Sequence, residues 1–307
     1  MNKYKADTTF IQYELWKCCS IGCKFCCNKG QKDINKIDSL NFVLSKLEDP
    51  EILNYDEIGF IGGEFFNNEL KDNLVCDLFY KVFEKVASLH FNKIYITTSL
   101  IFNKDIYLIP FLNYLKELKI LNKVLLCTSY DIAFRFKTKE KEELWKKNME
   151  FLRDAYPELR RHVETILTQP FIDAVLNESF SITSFCEKYK TRIDYIEPAS
   201  GLYYTDKKAC SLDIPGFFPT KASFIKFLKK AAVENKEIDL NTFLSMELRS
   251  CKLYYIDNGK RLINDDRRSG EGKTKPQDPT KKYEIGFIDS EDKMIDVALK
   301  IKELYGM

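Results

Sequence analysis

The segment "TTFIQYELWKCCSIGCKFCC" (residues 8–27) places a β-rich run directly before five cysteines. Threonine, phenylalanine, isoleucine and tyrosine in "TTFIQYEL" (8–15) suit a pleated, half-buried strand. The thiols then gather where that strand has to turn. Only Cys19, Cys23 and Cys26 satisfy a Cys-x3-Cys-x2-Cys spacing. Starting from Cys18 the pattern meets Gly22, and starting from Cys23 it meets Gly30, so the register is unambiguous.

Three thiolates close together on a loop suit a soft metal or iron–sulfur ligation. A structural zinc would need a fourth ligand at paired spacing, and no second such cysteine pair follows. His90 and His162 fall on a predicted helix and a predicted strand, away from any cysteine pair. Three ligands without an evident fourth describe a site left open to a small ligand.

Outward from this stretch, short β-rich runs alternate with longer amphipathic ones. Predicted strands are 8–15, 57–63, 93–99, 123–129, 162–168 and 192–198. Helices are expected near 38–48, 68–90, 104–119, 138–156 and 178–189. Six strands separated by helices imply right-handed βαβ crossovers and a parallel sheet. Too few for a closed eight-stranded barrel, they suit an α/β partial (βα)6 TIM-like barrel over residues 1–200.

Residues 201–307 change rhythm and read as a C-terminal α+β extension, a substrate or lid region. "SLDIPGFFPT" (211–220) reads as a loop, and "KASFIKFLKKAAVEN" (221–235) as a helix. "KLYYIDNGKRLIN" (252–264) reads as a hairpin turning at Asn258-Gly259. A polar stretch rich in glycine and proline (265–282) and a final helix (291–305) follow.

Composition narrows the classes further. The 307 residues are 45% hydrophobic and 31% charged, as in a globular protein, and the formal net charge is only +2. No global field therefore recruits nucleic acid or an anionic membrane. The densest apolar run, "YLIPFLNYL" (107–115), is too short and interrupted to span a bilayer. The opening "MNKYKADTTF" has no apolar signal-peptide core, so a cytoplasmic, reducing location is expected. There, dense cysteines point to metal or chemistry rather than disulfides.

Cys19, Cys23, Phe25 and Cys26, on the loop after the first strand, resemble the radical S-adenosylmethionine (SAM) superfamily signature Cys-x3-Cys-x-aromatic-Cys. The resemblance covers roughly residues 8–200. The second strand adds "FIGGEFF", whose Gly62, Gly63 and Glu64 match that superfamily's Gly-Gly-Glu motif. Phe65 stands where the family often has proline. The resemblance implies a 4Fe-4S cluster held by the three cysteines, with SAM chelated on the open iron. It also implies reductive cleavage of SAM to a 5′-deoxyadenosyl radical that abstracts hydrogen from substrate. Glu64 and its glycines would hold the methionine amino end. Further SAM contacts are expected from Phe25 on the cysteine loop and, at strand ends, from Thr98, Ser99, Ser129 and Asp131, with Thr97, Thr168 and Gln169.

Other residues carry weaker readings. Cys18 and Cys27 flank the ligand set and are expected to be bystanders; Cys76, Cys127 and Cys186 read as small buried hydrophobes. Cys210 and Cys251 stand far apart and show no paired spacing for an auxiliary cluster. Glu197 closes the sixth predicted strand as a substrate ligand or a plain loop carboxylate. Tyr203 and Tyr204 could stack on a substrate, and Arg267, Arg268, Lys273 and Lys275 read as a solvated linker or a phosphate clamp.

The expected substrate is a small molecule or nucleotide derivative. Peptide modification and activation of a glycyl-radical enzyme are the alternatives, and a reducing partner such as flavodoxin or ferredoxin is implied. From another class, a non-catalytic metal or iron–sulfur protein competes. Gly-Gly-Glu argues against it, because a structural site has no use for an amine pocket.

Overall fold

The computed structural model describes residues 10–26, 28, 32–196, 214–217, 219–234, 251–257 and 259–264. Six strands alternating with helices open the chain: β1 (Phe10–Glu14), α1 (Lys36–Glu48), β2 (Glu57–Ile61), α2 (Asn73–Ala87), β3 (Lys93–Thr97) and α3 (Leu108–Glu117) come first. There follow β4 (Val124–Ser129), α4 (Lys139–Ala155), β5 (Arg160–Ile166), α5 (Gln169–Leu176), α6 (Ile182–Tyr189) and β6 (Arg192–Ile196). Helix α7 (Lys221–Glu234) precedes a hairpin of β7 (Cys251–Asp257) and β8 (Lys260–Asn264).

Among the described residues the strands form one sheet in the order β6-β5-β4-β3-β2-β1-β7-β8. Every pairing is parallel except that of β7 with β8. The sheet does not close, so the architecture is the partial α/β barrel expected from the strand count. The C-terminal hairpin is not a separate layer. It pairs with β1 from Phe10↔Cys251 to Tyr13↔Tyr254 and so covers an edge that would otherwise offer unpaired backbone groups. Gly259, at a φ of +79°, supplies the left-handed turn that the Asn-Gly pair promised.

Local chemistry sets the helix boundaries. Asn35 caps α1 by accepting from Ile37 and Asp38 N–H, and Asp72 caps α2 by accepting from Leu74 and Val75. Helix α4 ends at Ala155, two residues before Pro157. Two boundaries differ from the sequence expectation. The predicted helix 68–90 is a short 3-10 turn (Asn68–Lys71) followed by α2, because the Asp72 cap starts a new helix. Strand β5 stops at Ile166, and Thr168 with Pro170 begins α5, a helix that the strand-like reading of 162–168 concealed.

The two faces of the sheet have different chemistry. Ile11, Tyr13, Ile58, Phe60, Ile94, Ile96, Val124, Leu126, Val163 and Ile193 join the helices in the main core. An aromatic group at α2 and α3, Phe65, Phe79, Phe83 and Phe111, packs in edge-to-face and tilted pairs at 4.8–6.0 Å. Register then turns Gln12, Gly59, Tyr95 and Leu125 to the inner face. Thr97, Cys127 and His162 lie there too, as do Ser129 and Glu164. No helix among the described residues is long and apolar enough to cross a membrane. The predicted 265–282 segment and final helix, together with Cys27, Glu197, Tyr203, Tyr204, Cys210, Arg267, Arg268, Lys273 and Lys275, lie outside the described residues.

Candidate functional site at the C-terminal edge of the sheet

The loops leaving β1 and β2 run side by side. Leu15 N–H reaches Ile61 O at 2.9 Å, Gly63 N–H reaches Trp16 O at 2.8 Å and Glu64 N–H reaches Cys18 O at 2.9 Å. Trp16 Nε1 donates to Glu64 O at 2.6 Å. This lacing explains both glycines. A Cβ on Gly63 would stand 2.2 Å from Lys17 O and 2.4 Å from Cys18 O; on Gly62 it would stand 2.7 Å from Trp16 O. The close approach that the glycines permit is to the cysteine loop's own backbone.

Glu64 is buried at 4% exposure, and donors surround its carboxylate. Thr98 Oγ1 donates to Oε1 at 2.5 Å, Phe66 N–H to Oε1 at 3.0 Å and Ser99 N–H to Oε2 at 2.8 Å. Burial pushes its pKa up, and the hydrogen bonds from Ser99, Thr98 and Phe66 oppose that push. Thr98 and Ser99, expected near SAM, are thus spent in this structure on orienting Glu64. Their effect is to join the loop after β3 to the Gly-Gly-Glu turn.

Of the three motif cysteines, Cys23 is buried, Cys26 half-buried and Cys19 exposed, and none forms a disulfide. Cys26 N–H closes a turn on Cys23 O at 3.3 Å. Although Cys19 as a residue is exposed, the neighbouring backbone shields its sulfur from water, and that desolvation raises the thiol's pKa despite a backbone hydrogen bond at Ile21. Cys18 packs half-buried against the core, where burial pushes its thiol up to about 11.

The segment after β4 grips this loop from one side. Lys24 N–H reaches Phe134 O at 3.0 Å, and Lys141 Nζ donates to Ser20 O and Ile21 O at 3.0 Å. Arg135 Nη1 donates to Cys23 Sγ at 3.9 Å. Phe25 leans on Phe217 at 5.8 Å, and Phe217 on Phe134 at 5.3 Å. Asp131 shapes the segment by accepting from Ala133 N–H at 3.0 Å, Phe134 N–H at 2.5 Å and Thr168 Oγ1 at 3.4 Å. Burial raises its pKa too, against those donors and Arg135. Ser129 ends β4 opposite Glu164 on the inner face, and Gln169 ties α5 to the start of α7 through Thr220 N–H at 2.6 Å.

From the other side, Asp33 accepts from Cys18 N–H at 2.9 Å and from Lys36. Lys17 bridges Glu14 and Asn28, each at 2.9 Å, and Glu14 accepts Ile256 N–H from the hairpin at 2.6 Å. The sequence reading missed Arg135, Lys141 and Asp33. Only the short polar positions in "SYDIAFRFK" (129–137) hint at the first, and nothing local marks the others.

Among the described residues, no three His, Cys, Asp or Glu side chains converge to hold a metal ion. The donor set nevertheless fits an iron–sulfur group: three unbridged thiols on one loop, with a buried guanidinium against one of them. Ligation would require the three thiols to converge.

Together the fold and loops define an open α/β barrel with a cysteine loop at the C-terminal edge, where parallel-barrel sites gather. Native anSMEcpe, solved with bound AdoMet and the Kp18Cys peptide, has this fold; it matches at a TM-score of 0.53 and 14% identity, over 90% of this chain and 80% of that one. Native anSMEcpe with bound AdoMet and the Cp18Cys peptide aligns at a TM-score of 0.46 and 18% identity, over 77% of this chain. This chain spans 62% of the length of that second structure. At such identities the likeness is one of fold. No protein-family model matches the chain, and no curated protein sequence does.

Proposed function

We propose that the chain is a radical SAM enzyme whose cluster is held by Cys19, Cys23 and Cys26. The observation that carries this reading is the lacing of the cysteine loop to the Gly-Gly-Glu turn, through Trp16 O and Cys18 O. Two motifs distant in sequence thereby form one edge, as a cluster and a neighbouring amine pocket require. When bound, a 4Fe-4S cluster supplies the electron that cleaves SAM to methionine and a 5′-deoxyadenosyl radical.

The chain's own residues then have separable tasks. Gly62 and Gly63 hold the two loops at backbone contact. Glu64 stays buried and oriented by Thr98, Ser99 and Phe66, and its carboxyl stands behind the methionine end of the pocket. Asp131 and Ser129 frame the far side, and Phe25 shields the loop by packing on Phe217. Residues 10–196 supply the barrel core, and the hairpin of β7 and β8 extends its sheet beside β1.

A small molecule or nucleotide derivative suits the inner face, where the polar Gln12, Thr97, Ser129, His162 and Glu164 stand beside an apolar group of Phe10, Tyr95 and Leu253. Peptide modification is the second reading, favoured by the peptide bound to anSMEcpe in the structure of the same fold. A flavodoxin or ferredoxin would deliver the electron, in a cytoplasmic, reducing compartment.

Anaerobic reconstitution with iron and sulfide tests the ligand assignment. Wild type is expected to gain a 4Fe-4S absorption band and matching iron content. Each of Cys19→Ala, Cys23→Ala and Cys26→Ala should lose both, whereas Cys18→Ala and Cys127→Ala keep them. A full cluster in Cys23→Ala would refute the assignment.

A further inference from the structure

We infer that Arg135 is a positioning residue for the cluster site, and that its guanidinium, bonded to the Cys23 sulfur, makes that site easier to reduce. The inference rests on the cluster reading proposed above. Arg135 is 8% exposed and comes from the loop after β4. Its Nη1 donates to Cys23 Sγ at 3.9 Å, while its Nε is buried with no hydrogen-bond partner. A buried guanidinium with an unused donor is costly unless something anionic meets it.

Three thiolates around an iron–sulfur core provide that anion. The assembly is negative before reduction and more negative after it. A cation held against one ligand sulfur therefore stabilises the reduced form more than the oxidised one. Low local dielectric strengthens the effect, because Cys23 and Arg135 are both buried. Asp131 lies within the field of Arg135 and offsets part of its charge, but the Asp131 carboxylate is already engaged by Ala133, Phe134 and Thr168. Two further cations of the same segment reach the loop at its surface. The end of the Lys137 side chain lies over Gly22, where a Cβ would stand 2.6 Å from Lys137 Nζ, and Lys141 holds the carbonyls of Ser20 and Ile21. Arg135 differs from Lys141, which donates to carbonyls, in donating to a sulfur.

Reduction takes one electron from a low-potential donor, so the readout is a midpoint potential, which a purely structural role would not move. The reconstituted wild type, Arg135→Gln, Arg135→Lys and the exposed control Lys139→Gln are titrated with mediators, without SAM, following the reduced cluster by electron paramagnetic resonance. Arg135→Gln is expected to be at least tenfold harder to reduce, a midpoint about 59 mV more negative. Arg135→Lys should fall between it and wild type, and Lys139→Gln should match wild type.

A midpoint in Arg135→Gln equal to wild type overturns this inference and leaves the cluster reading standing. A wild type that takes up no cluster overturns both. If Arg135→Gln folds but holds no cluster, Arg135→Lys decides: a more negative midpoint supports the inference, and an unchanged midpoint overturns it. Loss of the cluster from both folded variants makes Arg135 a holding residue and also overturns it.

Discussion

Glu64 shows how one side chain serves both the fold and the site. Its carboxylate gathers donors from the loops after β2 and β3, and burial still wins over them in raising its pKa. A carboxyl with a raised folded pKa contributes stability below its unfolded value and loses that contribution as pH rises through the folded value. Wild type should therefore lose stability relative to Glu64→Gln as pH climbs from 4.5, the ordinary value for this carboxyl. Urea unfolding midpoints of the two proteins across that range measure the effect. Parallel curves would mean that the Glu64 pKa is the same folded and unfolded. The glutamate's place in the sequence motif was legible, but its partners were not. Thr98 and Ser99 read as ligand contacts because they end a strand, and only folding shows them turned onto Glu64.

At the scale of elements, the hairpin of β7 and β8 is fastened to the strand that launches the cysteine loop. Arg261 Nη1 donates to Glu14 O at 2.8 Å and Nη2 to Ser39 Oγ at 2.5 Å, while the guanidinium lies over the Phe42 ring at 4.7 Å. Glu14 in turn holds Lys17 and Ile256 N–H. Arg261→Ala should cost about 1–3 kcal/mol, seen as a lower urea midpoint. It should also speed amide hydrogen exchange in Cys251–Asp257 more than in Val124–Ser129. Equal acceleration in both strands would deny the hairpin this local anchor. Strands, most helices and the Asn-Gly turn were readable because periodicity and turn chemistry are local. The docking of the hairpin beside β1 depends on which sheet edge needs a partner, which no window of sequence states. Helix α5 was hidden for a local reason: its cap, Thr168, continues the apolar run of β5.

Over the whole molecule, six parallel strands joined by helical crossovers set the loops after successive strands on one edge. That edge brings Cys23, Glu64 and Arg135 into one neighbourhood from positions far apart in the chain. The cysteine spacing alone singled out the proposed ligand triad. What it could not state is that the Gly-Gly-Glu turn is hydrogen-bonded to the same loop, or that a buried arginine faces the middle thiol. Substrate identity is less legible for a physical reason. It depends on the inner face, where Gln12, Thr97, Ser129, His162 and Glu164 come from separate strands and form no contiguous motif. The most direct measurement is 5′-deoxyadenosine released when the reconstituted, chemically reduced protein meets SAM. The account predicts its formation by wild type and its absence with Cys23→Ala; a reduced, cluster-loaded wild type that releases none, even with small-molecule, nucleotide and peptide substrates supplied, would contradict it.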